Sequence, residues 1–316
     1  MTSSPTAAPL LNAQNIVDLS FTTSSTPVRD GINLFVKTWH VPEGTPRKSV
    51  IIYNHGFAEN TELYNEFLPH LAFAGHEVVV YDQRGAGQTS PGKLYALTNE
   101  DYVFSDLDTL IESVTKDYKG PLFLSGHSMG GSITLNYAIK GKHRDLITGY
   151  WAIAPMIVLH PKSQPNVFQR LMLRVGSAVA PNFRDRAPLA IDYITHDERW
   201  KKRFSSDEAT RVVCSAGQMS DAIKRGTRLT DPDYVAKFVA GKPVAIFHST
   251  TDYINDFAGS VTFFDLLPKS VPYKKLYRYT DMAHSLPHET PDRSAQVFHD
   301  ILEYVDGVVD GSVGDN

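Results

Sequence analysis

The stretch "FLSGHSMGGS", Phe123 to Ser132, sets a serine between two glycine clusters at the end of a short apolar run. Within it, Gly126-His127-Ser128-Met129-Gly130 fits the pattern G-x-S-x-G. The pattern is weak alone and gains its meaning from its surroundings. A strand is read over Pro121–Ser125 and a helix from Gly130. A strand that turns sharply into a helix holds the serine in a strained conformation with its hydroxyl exposed, and the flanking glycines let strand and helix approach. The helix also directs its positive end at that point, which favours developing negative charge. An incidental serine in a tight turn accounts less well for both neighbours.

Outward from this turn, strands and helices alternate. "SVIIYNHG", "HEVVVYDQRG", "GPLFLSG" and "ITGYWAIAP" read as buried strands. Between them, "ELYNEFLPHLAFAG", "DYVFSDLDTLIESVTKDY" and "MGGSITLNYAIKG" read as helices, and "SFTTSS" with "NLFVKTWHV" as a hairpin through "RDG". The rhythm stops after Pro155 and resumes at Lys242 with the strands "PVAIFHS" and "YKKLYRY" and the helices "AGSVTFFDLLPK" and "DRSAQVFHDILEYVDGVV". Apolar, β-branched strands alternating with helices predict a mostly parallel sheet covered on both faces. Residues 156–231 hold helical and irregular segments without a convincing strand and read as an insertion. The division expected is a disordered 1–15, a sheet core over 16–155 and 232–308, the insertion at 156–231 and a tail at 309–316.

Composition excludes several classes. The 316 residues carry a net charge of −4, which gives no electrostatic case for nucleic acid. The basic run "RWKKR" (Arg199–Arg203) reads as a solvated helix face. A single cysteine, Cys214, rules out an internal disulfide and a thiolate zinc cluster. With no basic n-region, no Asn-x-Ser/Thr acceptor and no apolar run near the ~18 residues of a membrane span, the expectation is an intracellular, non-secreted protein. It is taken as cytoplasmic or peripheral on membranes or lipid droplets.

A serine hydroxyl needs a base, an orienter for that base and donors for an oxyanion. The chain order on this architecture is serine, acid, histidine, each on a loop after a strand. His284 fits the base, following "YKKLYRY" and preceding the last helix. His288 is better read as a surface histidine. Two acids follow "PVAIFHS": Asp252, just past the strand, is preferred, and Asp256, at the approach to the next helix, is the alternative, with an N-cap as its cheaper explanation. The oxyanion donors fall by position on the backbone amides of Met129 and Phe57, and His55 reads as a structural residue.

These residues resemble a known family. "NHGFAEN", "YDQRGAGQTS", "GHSMGGS", "TTDYIND" and "DMAHS" are similar to the monoacylglycerol lipases of the α/β-hydrolase superfamily, the yeast type above all, and the likeness runs from about Ser20 to Val308. The resemblance implies an α/β-hydrolase fold with a helical cap, or lid, over the site and no cofactor. It implies hydrolysis of monoacylglycerol to fatty acid and glycerol by Ser128, Asp252 and His284, with the amides of Phe57 and Met129 as donors. It further suggests that Glu59 lines the glycerol end. Two positions depart from the family: Ser249 stands where a glycine is usual, and the cap's Ser-Asp-Pro survives only as Ser206-Asp207 before Glu208.

Within the expected cap, Phe168, Leu171, Met172, Val175 and Val179 share one helical stripe, with Arg170 and Arg174 on another face. The stripe is expected to pack on the domain beneath. The sharper alternative has Leu173 lining an acyl channel and the arginines meeting anionic headgroups, which would bring the cap to a membrane or lipid-droplet surface. Other readings remain: a carboxylesterase or lysophospholipase with the same triad, or a ligand-binding protein without catalysis. A peptidase would aim Asp185, Asp192, Asp197 or Glu198 at a substrate amine.

Overall fold

The computed structural model describes residues 20–186, 190–206 and 212–313. The expected N-terminal disorder and the Asp207-Glu208 departure lie outside them.

Ten strands and nine α-helices follow one another among the described residues. The first pair, β1 (Phe21–Pro27) and β2 (Asn33–Trp39), forms the expected hairpin through the 3-10 turn Arg29–Gly31. Then come β3 (Ser49–Asn54), α1 (Leu68–Phe73), β4 (His76–Tyr81), α2 (Glu100–Asp117), β5 (Leu122–His127), α3 (Met129–Lys140) and β6 (Gly149–Ile153). The stretch to the next core strand carries α4 (Val167–Val179), β7 (Arg184–Arg186), α5 (Glu198–Ser206), β8 (Val213–Ser215), α6 (Ala216–Arg228) and α7 (Pro232–Val235). The chain closes with β9 (Val244–Ser249), α8 (Phe257–Leu266), β10 (Lys274–Tyr279) and α9 (Pro291–Asp310).

Eight strands form one sheet in the order β1-β2-β4-β3-β5-β6-β9-β10. Only the β1–β2 and β2–β4 pairs are antiparallel; the remaining pairs are parallel. The central strands β3, β5, β6 and β9 are buried along their whole length, as expected of strands covered on both faces. Two apolar clusters occupy those faces: one holds Ile52, Leu124, Ile133 and Phe263, the other Tyr53, Phe123, Trp151 and Ile301.

Several expectations change. "ELYNEFLPHLAFAG" is not one helix but a 3-10 turn, Thr61–Tyr64, followed by α1, whose first turn takes Pro69 where its missing N–H costs nothing. The insertion does contain strands: β7 and β8 pair antiparallel. Each is three residues long, and "RDR" offers no apolar alternation to read. The last helix runs to Asp310, into the expected tail. The largest difference concerns α4. It begins on a capping box formed by Asn166 and Gln169, yet none of its residues is buried. Its apolar stripe, from Phe168 at 69 % to Val179 at 77 % exposed, faces outward instead of packing down. The opposite face, with Leu173 half-buried, borders a cavity. The "RWKKR" run of α5 is likewise not simply solvated: Arg199 pairs with Glu66, Lys201 with Asp192 and Glu198, and Trp200 is buried.

Candidate active site

The parallel strands all end at one edge of the sheet, and the loops leaving β3, β5, β9 and β10 meet there. Ser128 is the single residue between β5 and α3, at φ 53° and ψ −116°. A side chain other than glycine's is strained at that φ. Neighbouring contacts hold it: the Ser128 amide donates to the Ile153 carbonyl at 2.9 Å, and the Ser128 carbonyl accepts from Met156 N at 2.9 Å. The approach of β3 explains the glycines. A Cβ on Gly126 would lie 2.6 Å from the Asn54 carbonyl oxygen, and one on Gly130 only 2.0 Å from it.

His284 reaches this turn from the loop after β10. Its Nε2 is 3.0 Å from Ser128 Oγ, and its Nδ1 is 2.7 Å from Asp252 Oδ2. A carboxylate only accepts, so Nδ1 carries the hydrogen and Nε2 is left to accept the serine proton. All three residues are buried. Asp252 is held tightly: Oδ1 accepts from the amides of Ile254 and Asn255 at 2.7 and 2.9 Å. Burial alone would raise its pKa, but His284 and His248 outweigh burial and hold it well below the usual carboxylate range. Asp256 does not join this group. Its Oδ1 accepts from Ala258 N at 2.9 Å as the N-cap of α8.

Phe57 lies on the loop leaving β3, inside a turn closed by Glu59 N donating to Gly56 O, with Ala58 at φ 56°. Met129 opens α3, so helix geometry leaves its amide without an intrahelical carbonyl. Glu59 is committed to internal bonds. It accepts from Gly56 N at 2.6 Å and from Tyr64 OH, and it lies 3.1 Å from His127 Nδ1. Burial would raise its pKa too, but His127, His288 and Tyr64 together drive it well below the carboxylate range. His55 is a buried structural residue, its Nε2 accepting from Gln83 N at 3.0 Å.

His288 is not on the surface. It is fully buried, its Nε2 donating to Leu63 O at 2.9 Å and its ring packed on Trp200 and Phe204 of α5. Burial lowers its pKa to about 4, against partial opposition from Glu59. Three contributors escaped the sequence reading: His127, whose ring centre is 4.9 Å from that of His284, Tyr64, and His248. His127 was visible as the second residue of G-x-S-x-G; the other two lie inside apolar runs without a distinguishing pattern.

Met156, whose amide donates to the Ser128 carbonyl, also lines a cavity of about 780 Å³ that opens between the 156–164 loop, α4 and α6. Ile157, Leu159, Leu173 and Ile223 give it apolar walls, and Arg170, Arg174 and Lys224 lie along it.

Residues 45–291 match the family described as serine aminopeptidase S33, Hydrolase_4. The monoglyceride lipase of Saccharomyces cerevisiae is 35% identical over 286 residues, 88% of this chain and 91% of that protein. The human monoglyceride lipase is 28% identical, over 87% of this chain and 88% of its own. A crystal structure of a soluble variant of the Saccharomyces cerevisiae enzyme with a substrate analogue superposes with a TM-score of 0.86 at 32% identity, covering 96% of this chain and 99% of that one. With the serine turn, the parallel sheet and this likeness along nearly its whole length, the chain belongs to the monoglyceride lipase family of the α/β-hydrolase superfamily.

Proposed function

We propose that the chain is a serine hydrolase that cleaves monoacylglycerol to fatty acid and glycerol. The observation that carries the reading is the line from Ser128 Oγ through His284 to Asp252, at 3.0 and 2.7 Å, together with a cavity that has apolar walls and is lined by α4 and α6. His284 takes the Ser128 proton as Oγ attacks the ester carbonyl, and Asp252 holds the imidazole tautomer and stabilises the imidazolium. The oxyanion forms against the amides of Phe57 and Met129, a donor pair of which each member is worth ~3–4 kcal/mol in the transition state. His284 then protonates the leaving glycerol, and water activated by the same nitrogen releases the fatty acid. Glu59 shapes the alcohol end of this site by fixing the Gly56 turn.

Residues 156–231 act as a cap whose inner wall takes the acyl chain. The cavity volume falls in the range of sites for molecules of that size, roughly 300–1,000 Å³. The outward stripe of α4 meets a lipid surface, so that the acyl chain passes from one apolar phase to another. Exposing a long chain to water instead would cost on the order of 10 kcal/mol at ~0.8 kcal/mol per CH₂. A peptidase is disfavoured by where the carboxylates lie: Asp192 and Glu198 pair with Lys201, and Asp197 caps α5. Asp185 accepts from the amide of Arg186, and none of these carboxylates is among the groups gathered at Ser128.

The test is glycerol release from a long-chain monoacylglycerol, compared with di- and triacylglycerol and lysophosphatidylcholine, with Ser128→Ala as control. Preference for the monoacylglycerol, with a loss on the order of 10⁶-fold in the variant, is the expected result. Serine-dependent activity that prefers lysophosphatidylcholine would keep the triad and discard the lipase reading.

A further inference from the structure

Asp252 meets two imidazoles. The second, His248, is the fifth residue of β9; its side chain is fully buried and points toward α8. Its Nε2 lies 3.1 Å from Asp252 Oδ2, the oxygen that also receives His284 Nδ1. Its Nδ1 lies 2.8 Å from Ser260 Oγ, and the Phe257 ring packs against its own. The carboxylate only accepts, so His248 donates through Nε2–H. Nδ1 of the neutral ring then accepts from the Ser260 hydroxyl.

We propose that His248 is a positioning residue for catalysis: it fixes Oδ2 of Asp252 and shares its negative charge, and thereby sets the orientation and basicity of His284. The proposal rests on the reading of Ser128, His284 and Asp252 given above. Each oxygen of Asp252 has two donors, with the amides of Ile254 and Asn255 on Oδ1 and the two imidazoles on Oδ2. Without His248, Oδ2 would be restrained by His284 alone, the group it is meant to orient. A second neutral donor also draws electron density from Oδ2, which weakens its hold on the His284 proton. Ser260, from a different element, fixes the His248 tautomer that makes this possible. The other titratable groups facing His284 are His127 and, through it, Glu59.

The experiment compares wild type with His248→Leu and His248→Gln on a soluble ester, p-nitrophenyl butyrate, across pH. The His284 Nδ1 proton is followed by NMR in each. Losing one hydrogen bond to a charged acceptor predicts a kcat about tenfold lower in His248→Leu, with KM nearly unchanged. The carboxylate, relieved of one donor, binds the imidazolium more strongly. The acid-limb midpoint of kcat/KM therefore moves to higher pH, and the Nδ1 resonance moves downfield. The amide of His248→Gln supplies a donor again and returns both readouts toward wild type. A His248→Leu protein with an unmoved midpoint and resonance would reduce His248 to packing and overturn the proposal.

Should the leucine variant fail to fold, Ser260→Ala tests the same chain one step out. A smaller shift in the same direction supports it, and no shift overturns it. A fluorophosphonate probe keeps the two readings apart. Wild type that is not labelled at Ser128 refutes the serine mechanism itself, whereas labelling with unshifted His248 variants refutes only the positioning role.

Discussion

Two helices, α3 at the serine turn and α4 along the cavity, could hardly be treated more differently by the fold. Every residue of α3 from Met129 to Ile139 is buried, whereas α4 has none buried. The first is positioned by what surrounds it, with β3 at its start so close that Gly130 has no room for a methyl group. The second is positioned by one side only, resting on α6 with Gly176 near Ala216 and its apolar stripe in the open. A nucleophile must be held to a fraction of an ångström, so it belongs on an element like α3. Under the proposed role at a lipid surface, α4 would leave its apolar face unsatisfied by the protein itself, as it does.

The sharpest way to break this contrast is Gly130→Ala. The new Cβ would fall 2.0 Å from a backbone oxygen of Asn54 and 2.6 Å from that of His55. Neither can move without disturbing β3 or the Gly56 turn. The expected cost is about 3 kcal/mol or more in urea unfolding, through overpacking. A variant as stable as wild type would mean that the serine turn is far looser than its contacts imply.

The α5 helix stands between the two extremes, tied to the core through Trp200 on the buried His288. Burial lowers the His288 pKa from 6.5 to about 4. The folded protein keeps it neutral while the unfolded chain takes up a proton. Its contribution is therefore complete above pH 6.5 and is lost as pH falls from there toward 4. The shift corresponds to roughly 3 kcal/mol across that window. His70, also lowered to about 4 by burial, acts in the same sense. The difference between wild type and His288→Gln isolates the first. The variant is expected to lose stability less steeply over that interval, and identical pH curves would contradict the burial account.

These cases also show what the sequence could carry. The sheet was legible because runs such as "SVIIY" and "EVVVY" bury apolar side chains on both faces and have few other uses. The Ser128 turn was legible because a strand that turns so sharply into a helix demands small residues around it, and the approach of His284 because it follows a strand in the expected chain order. The α4 stripe was legible as a stripe, but periodicity gives the face of a helix and not what covers it. His288 looks exposed in the sequence because Trp200 and Phe204, which cover it, come from a distant part of the chain. His248 was invisible for a related reason: a histidine inside an apolar strand has no partner until α8 and the Asp252 loop fold back on it.

On the outer helix the expected effects are smaller and of another kind. Replacing both Phe168 and Leu171 with Asp removes apolar contact but disturbs no buried neighbour. Stability should change within about 0.5 kcal/mol for each substitution. Binding to zwitterionic phospholipid vesicles in a sedimentation assay should fall about tenfold or more, since burying each such side chain is worth ~1.5–3 kcal/mol. Loss of folding stability with vesicle binding intact would reverse the assignment and put the stripe inside the protein.

The smallest effect is the most direct comparison, because the same change is expected to carry the opposite sign. Gly176 lies in the last turn of α4, and inside a helix glycine costs roughly 0.5–1 kcal/mol relative to alanine through its conformational freedom in the unfolded chain. A Cβ there meets only the Ala216 methyl, at an ordinary contact distance of 3.5 Å. Gly176→Ala should therefore stabilise the protein by that amount, up to the share of it that global unfolding reports. If α4 unfolds locally before the core does, the gain appears in amide exchange of its own residues and not in the unfolding midpoint. Either location of the gain fits a helix held from one side. A loss of stability would mean instead that α4 and α6 are packed as tightly as α3 and β3, and that the two helices are alike after all.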